Sequence, residues 1–313
     1  MRLKSALRRG VAAAVIAGIV VSSGIPAYAA RWDIAKGDIT VKAGEAEGTN
    51  RVTQGEKDVE DTDTVITGKS EEHTVTIDTS GGDVDVTFDD LKIDVSGRDE
   101  GKAAVRVEGG GDVTIELDGK NELKSGGGSA GLEKNEHEAE GTLTIKDDNG
   151  KDGSLTAEGG DGGGDGGGAG IGGGKESTGS NITIRGGTVE AVGGSSAAGI
   201  GDGAYRASDD TDDPNPGNLY ICGDAEVTAK AGSQMTDAKE APAIGGTYGE
   251  VPTEALSDDD HKVTGGRLTR LNADGTVMEG MGYDYTSTPT PQPEEEDDDD
   301  DDPPSAQENA PEP

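Results

Sequence analysis

One cysteine, one tryptophan and one phenylalanine in 313 residues set the first limits on this chain. The lone Cys222 excludes an intramolecular disulfide, so the fold must be held by burial and hydrogen bonding without staples. Cations are scarce beside anions: 27 Lys and Arg against 64 Asp and Glu leave a formal charge of −37. Such a surface lacks the clustered Lys and Arg that displace counterions from a phosphate backbone, which excludes nucleic acid as a partner and disfavours anionic lipid. The three histidines, His73, His137 and His261, stand far apart without metal-ligand spacing and read as solvent-facing. Leu, Ile, Val and Phe make up about 16% of the chain, under the ~20% below which a highly charged sequence is expected to stay unfolded.

Long apolar runs are missing too, apart from VAAAVIAGIVV at residues 11 to 21. It follows a basic start (Arg2, Lys4, Arg8, Arg9) and precedes Ala27-Tyr28-Ala29. The run falls short of the ~20 residues that span a bilayer, and small residues two apart mark a secretory cleavage site. The expected signal peptide is residues 1–29, removed by a bacterial-type general secretory route, with an uncleaved anchor as the weaker alternative. Losing its four cations takes the charge to about −41. The processed chain is expected to be secreted or surface-associated, without membrane insertion. Residues 284–313 are Pro-rich and acidic and read as a disordered tail with no sorting signal or apolar anchor.

What is present is a repeat over residues 30–283. A small-residue turn around one aliphatic recurs as AGIGGG (169–174), AGIGDG (198–203) and APAIGG (241–246). An alternating strand recurs as DVTIEL (112–117), TLTIKD (142–147), NITIRG (181–186) and NLYICG (218–223). A shorter strand recurs as GSLTAEGG (153–160), TVEAVGG (188–194) and AEVTAKAG (225–232). The first phrase is anchored by Val105, Leu132, Ile171, Ile200 and Ile244, at steps of 27, 39, 29 and 44 residues. Fixed strands with corners that accept insertions are the behaviour of a coil. Period-two alternation excludes helix and sets Ile182 and Ile184 on one face with Thr183 and Arg185 on the other. The expected fold is all-β: a right-handed parallel β-helix with three short strands per coil and an irregular, capping first coil. Asn181 and Asn218 hold one position before the second strand, where stacked amides form a ladder or each serves as an ordinary turn residue. GGDGGGDGGG (159–168) lacks the Lys and helix of a phosphate loop and reads as a corner insertion.

The AGIGGG and NITIxGGTVEAxGG phrases resemble repeats of exported bacterial β-helix proteins labelled carbohydrate-binding, over roughly residues 32 to 282. That resemblance implies the fold and, through relatives that bind pectin or cellulose, a polysaccharide partner. It carries no site residues onto this chain, so the function it implies is an analogy of fold.

The corner between first and second strands grows along the chain, with anchors 10, 13, 13, 21 and 19 residues apart. Its two largest inserts carry Tyr205 and Tyr248, five and four residues past Ile200 and Ile244. In a chain so poor in aromatics, matched tyrosines form a flat edge for a sugar ring, unless each only covers its own loop. The same inserts carry Asp209, Asp210, Asp212 and Asp213, then Asp258, Asp259 and Asp260. Oxygen-rich loops suit Ca2+, with solvated charge as the alternative; no other cofactor is required. DNGKDG (148–153) matches a calcium loop only weakly. Catalysis is not expected: most carboxylates lie on corners, and Glu116 and Arg185 on the strands have no evident partner. Cys222 takes the position of Arg185 one repeat later, which points it outward and permits a disulfide-linked dimer, unless a slip of one residue buries it as a small hydrophobe. The first expectation is carbohydrate binding, assisted by calcium where the glycan is acidic. A structural or adhesive stalk is the alternative, and a polysaccharide lyase or hydrolase the third.

Overall fold

The computed structural model describes residues 29–98, 100–135, 141–150, 152–163, 166–204, 218–234, 241–246, 249–250, 261–280 and 283–284. The three recurring phrases become three parallel ladders. The first stacks Ile39–Ala43, Val75–Asp78, Val105–Glu108, Leu132–Lys134, Ile171–Gly172, Ile200–Gly201 and Ile244–Gly246. Its anchors pair Val105 with Leu132, Leu132 with Ile171, Ile171 with Ile200 and Ile200 with Ile244, the register read from sequence. The second stacks Val84–Asp94, Val113–Asp118, Leu143–Lys146, Ile182–Ile184, Leu219–Ile221 and His261–Val263. The third stacks Lys120–Gly127, Ser154–Gly160, Thr188–Val192, Glu226–Lys230 and Arg267–Leu271. The chain visits the ladders in a fixed order, and the result is a nearly all-β, nearly closed parallel structure of solenoid type, with which a β-helix is compatible.

Before Val105 the plan of three short strands gives way to fusion. Val84–Asp94 pairs with Val113–Asp118 through its first half and with Lys120–Gly127 through its end, so one strand serves two ladders. Thr64–Ser70 does the same one coil earlier, with a register shift between Thr67 and Lys69. The bend falls at Gly68 and at Asp90, whose φ is +52°. A single left-handed residue therefore replaces a corner, and Asp tolerates that conformation better than most side chains. The irregular first coil is Ala30–Asp33, paired on Thr64–Ser70, followed by one 3-10 turn at Ile34–Lys36. A hairpin of Asn50–Gln54 and Lys57–Asp61 lies antiparallel on Ile39–Ala43 and ends the first ladder in a charged edge strand. Charge on an edge resists pairing with another chain. Among the described residues, no helix is long and apolar enough to cross a membrane.

A composition that argues for disorder folds because nearly every aliphatic is spent inside. Ile115, Ile145, Ile184 and Ile221 stack in register and are all fully buried. At ~25 cal/mol per Å2, burying one such side chain stabilises by ~1.5–3 kcal/mol. The glycine after the first-ladder anchor has a separate function. Gly172, Gly201 and Gly245 have φ of +131°, +129° and +150°, a conformation that explains the repeated Ile-Gly pair. The glycine-rich stretch is a corner between third and first ladders, as expected. There the coils touch backbone to backbone: Gly160 N donates to Ser129 O at 2.9 Å and Gly194 N to Gly168 O at 2.9 Å. A Cβ on Gly160 would fall on the Gly126 carbonyl, and one on Gly232 on that of Gly194.

Candidate functional site

Alternation along the second ladder sends every other side chain outward, and parallel register lines those residues into two columns. One runs Asp85, Thr114, Thr144, Thr183, Tyr220, Lys262. The other runs Thr87, Glu116 and Lys146, and continues through Arg185 and Cys222, which directly follow the paired Ile184 and Ile221. Successive rungs lie ~4.8 Å apart. The N-terminal part of this face is a groove of about 650 Å3 lined by Thr49, Asn50, Thr64, Asp85, Thr87, Thr114, Glu116, Thr144, Lys146, Asn149 and Arg185 among others. Its end wall is the hairpin: the Asn50 amide donates to Thr64 Oγ1 at 2.9 Å and to the Asp85 carbonyl at 2.6 Å.

Part of the charge in the groove is paired. Lys146 Nζ lies 3.1 Å from Glu116 and 3.0 Å from Asp148, and Arg185 lies 3.9 Å from Asp148. Glu116 thus has the partner that sequence reading did not find, one coil away and 30 residues on. It also accepts from the backbone N–H of Asp148 at 3.1 Å and of Asn149 at 3.3 Å. Burial raises its pKa against the opposing pull of Lys146, while the Lys146 hydrogen bond holds Asp148 below the usual carboxylate range. For Lys146 burial works against the charge, but bonds to Asp148 and Glu116 outweigh it and the pKa rises. With three donors on Glu116, this arrangement clamps the loop after residue 146.

The sequence-derived site residues have different fates. Tyr205, Tyr248, Asp209, Asp210, Asp212, Asp213, Asp258, Asp259 and Asp260 lie outside the described residues, as do His137, the leader through residue 28 and the tail from residue 285. The strands flanking the two large inserts do pair on successive coils, Ile200 with Ile244 and Leu219 with His261. Among the described residues, no group of three His, Cys, Asp or Glu gathers for a metal. In DNGKDG Asp148 pairs with Lys146, and the preceding Asp147 accepts from Gly153 N at 2.7 Å. His73 is half-buried, its Nδ1 3.6 Å from Asp38. Cys222 is half-buried in the expected register, its N–H donating to Ile184 O as that of Arg185 does to Ile145 O. Asn218 donates to the Asn181 amide oxygen at 2.9 Å, and Asn181 has φ +53°, so the ladder and the turn are both real. At the same corner of earlier coils Asp83 accepts from Asp112 N at 2.9 Å and Asp112 from Thr142 N at 2.7 Å.

Sequence reading passed over the stacked threonines and Tyr220. The signal was present in the outward positions of DVTIEL, TLTIKD, NITIRG and NLYICG, but attention went to the inserts. No family model, curated protein or solved structure matches this chain. The resemblance to exported carbohydrate-binding repeats therefore rests on the repeat phrases alone.

Proposed function

We propose that this chain is an exported right-handed parallel β-helix that binds an extended polysaccharide along the outward face of its second ladder. The supporting observation is the groove of about 650 Å3, where Thr87, Thr114 and Thr144 hydroxyls and the Asp85 carboxylate present hydrogen-bonding groups over successive coils. Right-handedness follows from the near-universal hand of crossovers between parallel strands. A hydroxyl-rich neutral glycan matches this lining, because Asp85 accepts from vicinal hydroxyls and the paired charges of Glu116, Lys146 and Asp148 repel nothing. Tyr220, next in line after Thr183, offers a ring edge where the large inserts enter the face. Tyr205 and Tyr248 would extend that edge, with calcium on Asp209 to Asp213 and Asp258 to Asp260 needed only for an acidic glycan.

A glycan array followed by isothermal titration tests this reading. Asp85→Ala with Tyr220→Ala should weaken a neutral oligosaccharide about tenfold, equivalent to ~1.4 kcal/mol, with no effect of chelator. Chelator-sensitive binding of polygalacturonate, unaffected by the double substitution, would move the site to the inserts. No glycan bound by the array at millimolar concentration would leave the structural stalk as the reading. Titrations include reductant, because chains paired through Cys222 would cover the same face. Cleavage is not proposed, since Glu116 already accepts three hydrogen bonds; release of reducing ends that Glu116→Gln abolishes would reverse that.

A further inference from the structure

Asp61 is the one fully buried carboxylate at the N-terminal end of the fold, and its surroundings point at the first residue of the processed chain. Its exposure is 0%, and its oxygens accept from Trp32 Nε1 at 2.6 Å, Asp63 N at 3.2 Å and Ala30 N at 3.1 Å. Among the described residues no Lys or Arg pairs with it; Lys57 sits over the Trp32 ring, 5.9 Å from its centre. Trp32 is itself buried at 3%, so the carboxylate is shut in beneath an indole with N–H donors only. A buried carboxylate without a cation is costly, and a charge-assisted donor is roughly twice as strong as a neutral one. Ala30 N is the atom that leader removal would turn into an ammonium, and Ala29, on the other side of the bond, is exposed.

We propose that Asp61 is the built-in acceptor for the α-ammonium released at Ala30, so that leader removal completes the N-terminal coil with an ion pair the precursor lacks. Hydrolysis of the Ala29–Ala30 bond by a leader peptidase adds one water, leaving a carboxylate on Ala29 and an amine on Ala30 that is mostly protonated at neutral pH. The ammonium keeps the existing 3.1 Å bond and converts it to a charged one. Ala30–Asp33 is already held in register on Thr64–Ser70, Ala30 opposite Thr64, so no rearrangement is needed. The inference rests on the leader reading and is independent of glycan binding.

The test compares the chain beginning at Ala30 with one retaining Ala27-Tyr28-Ala29 uncleaved, each as wild type and as Asp61→Asn. The expected result is a lower urea midpoint for the extended wild type and no difference between the two Asp61→Asn chains. Equal midpoints in the wild-type pair, or an undiminished difference in the Asp61→Asn pair, would overturn the proposal. Should Asp61→Asn not fold, the acylation rate of the α-amine in the processed wild type decides. It should be at least about tenfold slower folded than in urea, and equal rates would overturn the proposal. A secreted chain whose mass shows any first residue other than Ala30 would also overturn it.

Discussion

From residue 30 to 127 the interior includes the large side chains Trp32, Phe88, Leu91, Ile93, Leu117 and Leu123, whereas from 128 to 246 the described core holds no aromatic residue and mixes isoleucine, leucine and valine with many alanines. One column of the third ladder shows the change in register: Ile93, Leu123, Ala157, Ala191, Ala229. Glycines of the first ladder pack on the backbone of this column. A Cβ on Gly131 would meet the backbone of Ala157 and Glu158, and one on Gly170 the backbone of Ala191 and Val192. Both halves are stabilised by side-chain burial, and the later coils add close approach of glycine backbones. The two halves of one repeat should respond to mutation with opposite sensitivity.

The largest effect tests the early half. Phe88→Ala, at a fully buried position, should destabilise by ~3–5 kcal/mol in urea unfolding with little change in slope. A loss under 1 kcal/mol would mean that burial is not what holds these coils. The reverse substitution sharpens the contrast in the later half: Ala191→Leu should destabilise by ~1–3 kcal/mol although it adds apolar surface, because the position is fully buried in a packed interior. Stabilisation by that leucine, read as a higher denaturant midpoint, would show that the later core is loose rather than full.

Smaller effects probe the corners. Asn218→Ala removes the amide donor to Asn181 and should lower stability by ~1 kcal/mol, whereas Asn218→Asp should do so more strongly at neutral pH than at pH 3. The smallest effect belongs to the first ladder of the early half, where the Lys42 ammonium 2.8 Å away, with help from Ser80, holds Asp78 down to about 2. Its folded pKa is depressed, so its contribution is present above the unfolded value near 3.8 and is lost as pH falls towards about 2. Because Lys42 is half exposed, the contribution should be at most ~1 kcal/mol after screening. Unfolding free energies at pH 5 and pH 2.5 should differ less in Asp78→Asn than in wild type, and identical differences would remove the pair from the account.

Much of this was legible because the coil is a register problem that aliphatic spacing solves. Val105 to Ile244 and Ile115 to Val263 align in sequence as they pair in space, despite inserts of very different length. The position of Cys222, the Asn181–Asn218 contact and the glycine corner follow from the same alignment. The fused strands Thr64–Ser70 and Val84–Asp94 did not, since a single αL residue such as Asp90 looks in sequence like any polar break.

The primary structure by itself determined the strand period, the inward-facing aliphatic anchors of the repeat and the order of the three ladders, all of which are local alternation plus a repeat. Only the tertiary structure decided which outward stripe became a groove, which cation met Glu116 and which amide reached Asp61. Those depend on neighbours about one coil away and on where a hairpin insert lies against the ladder. No local pattern encodes a distance between residues brought together by stacking, because the length of chain between them is set by corners that are free to vary.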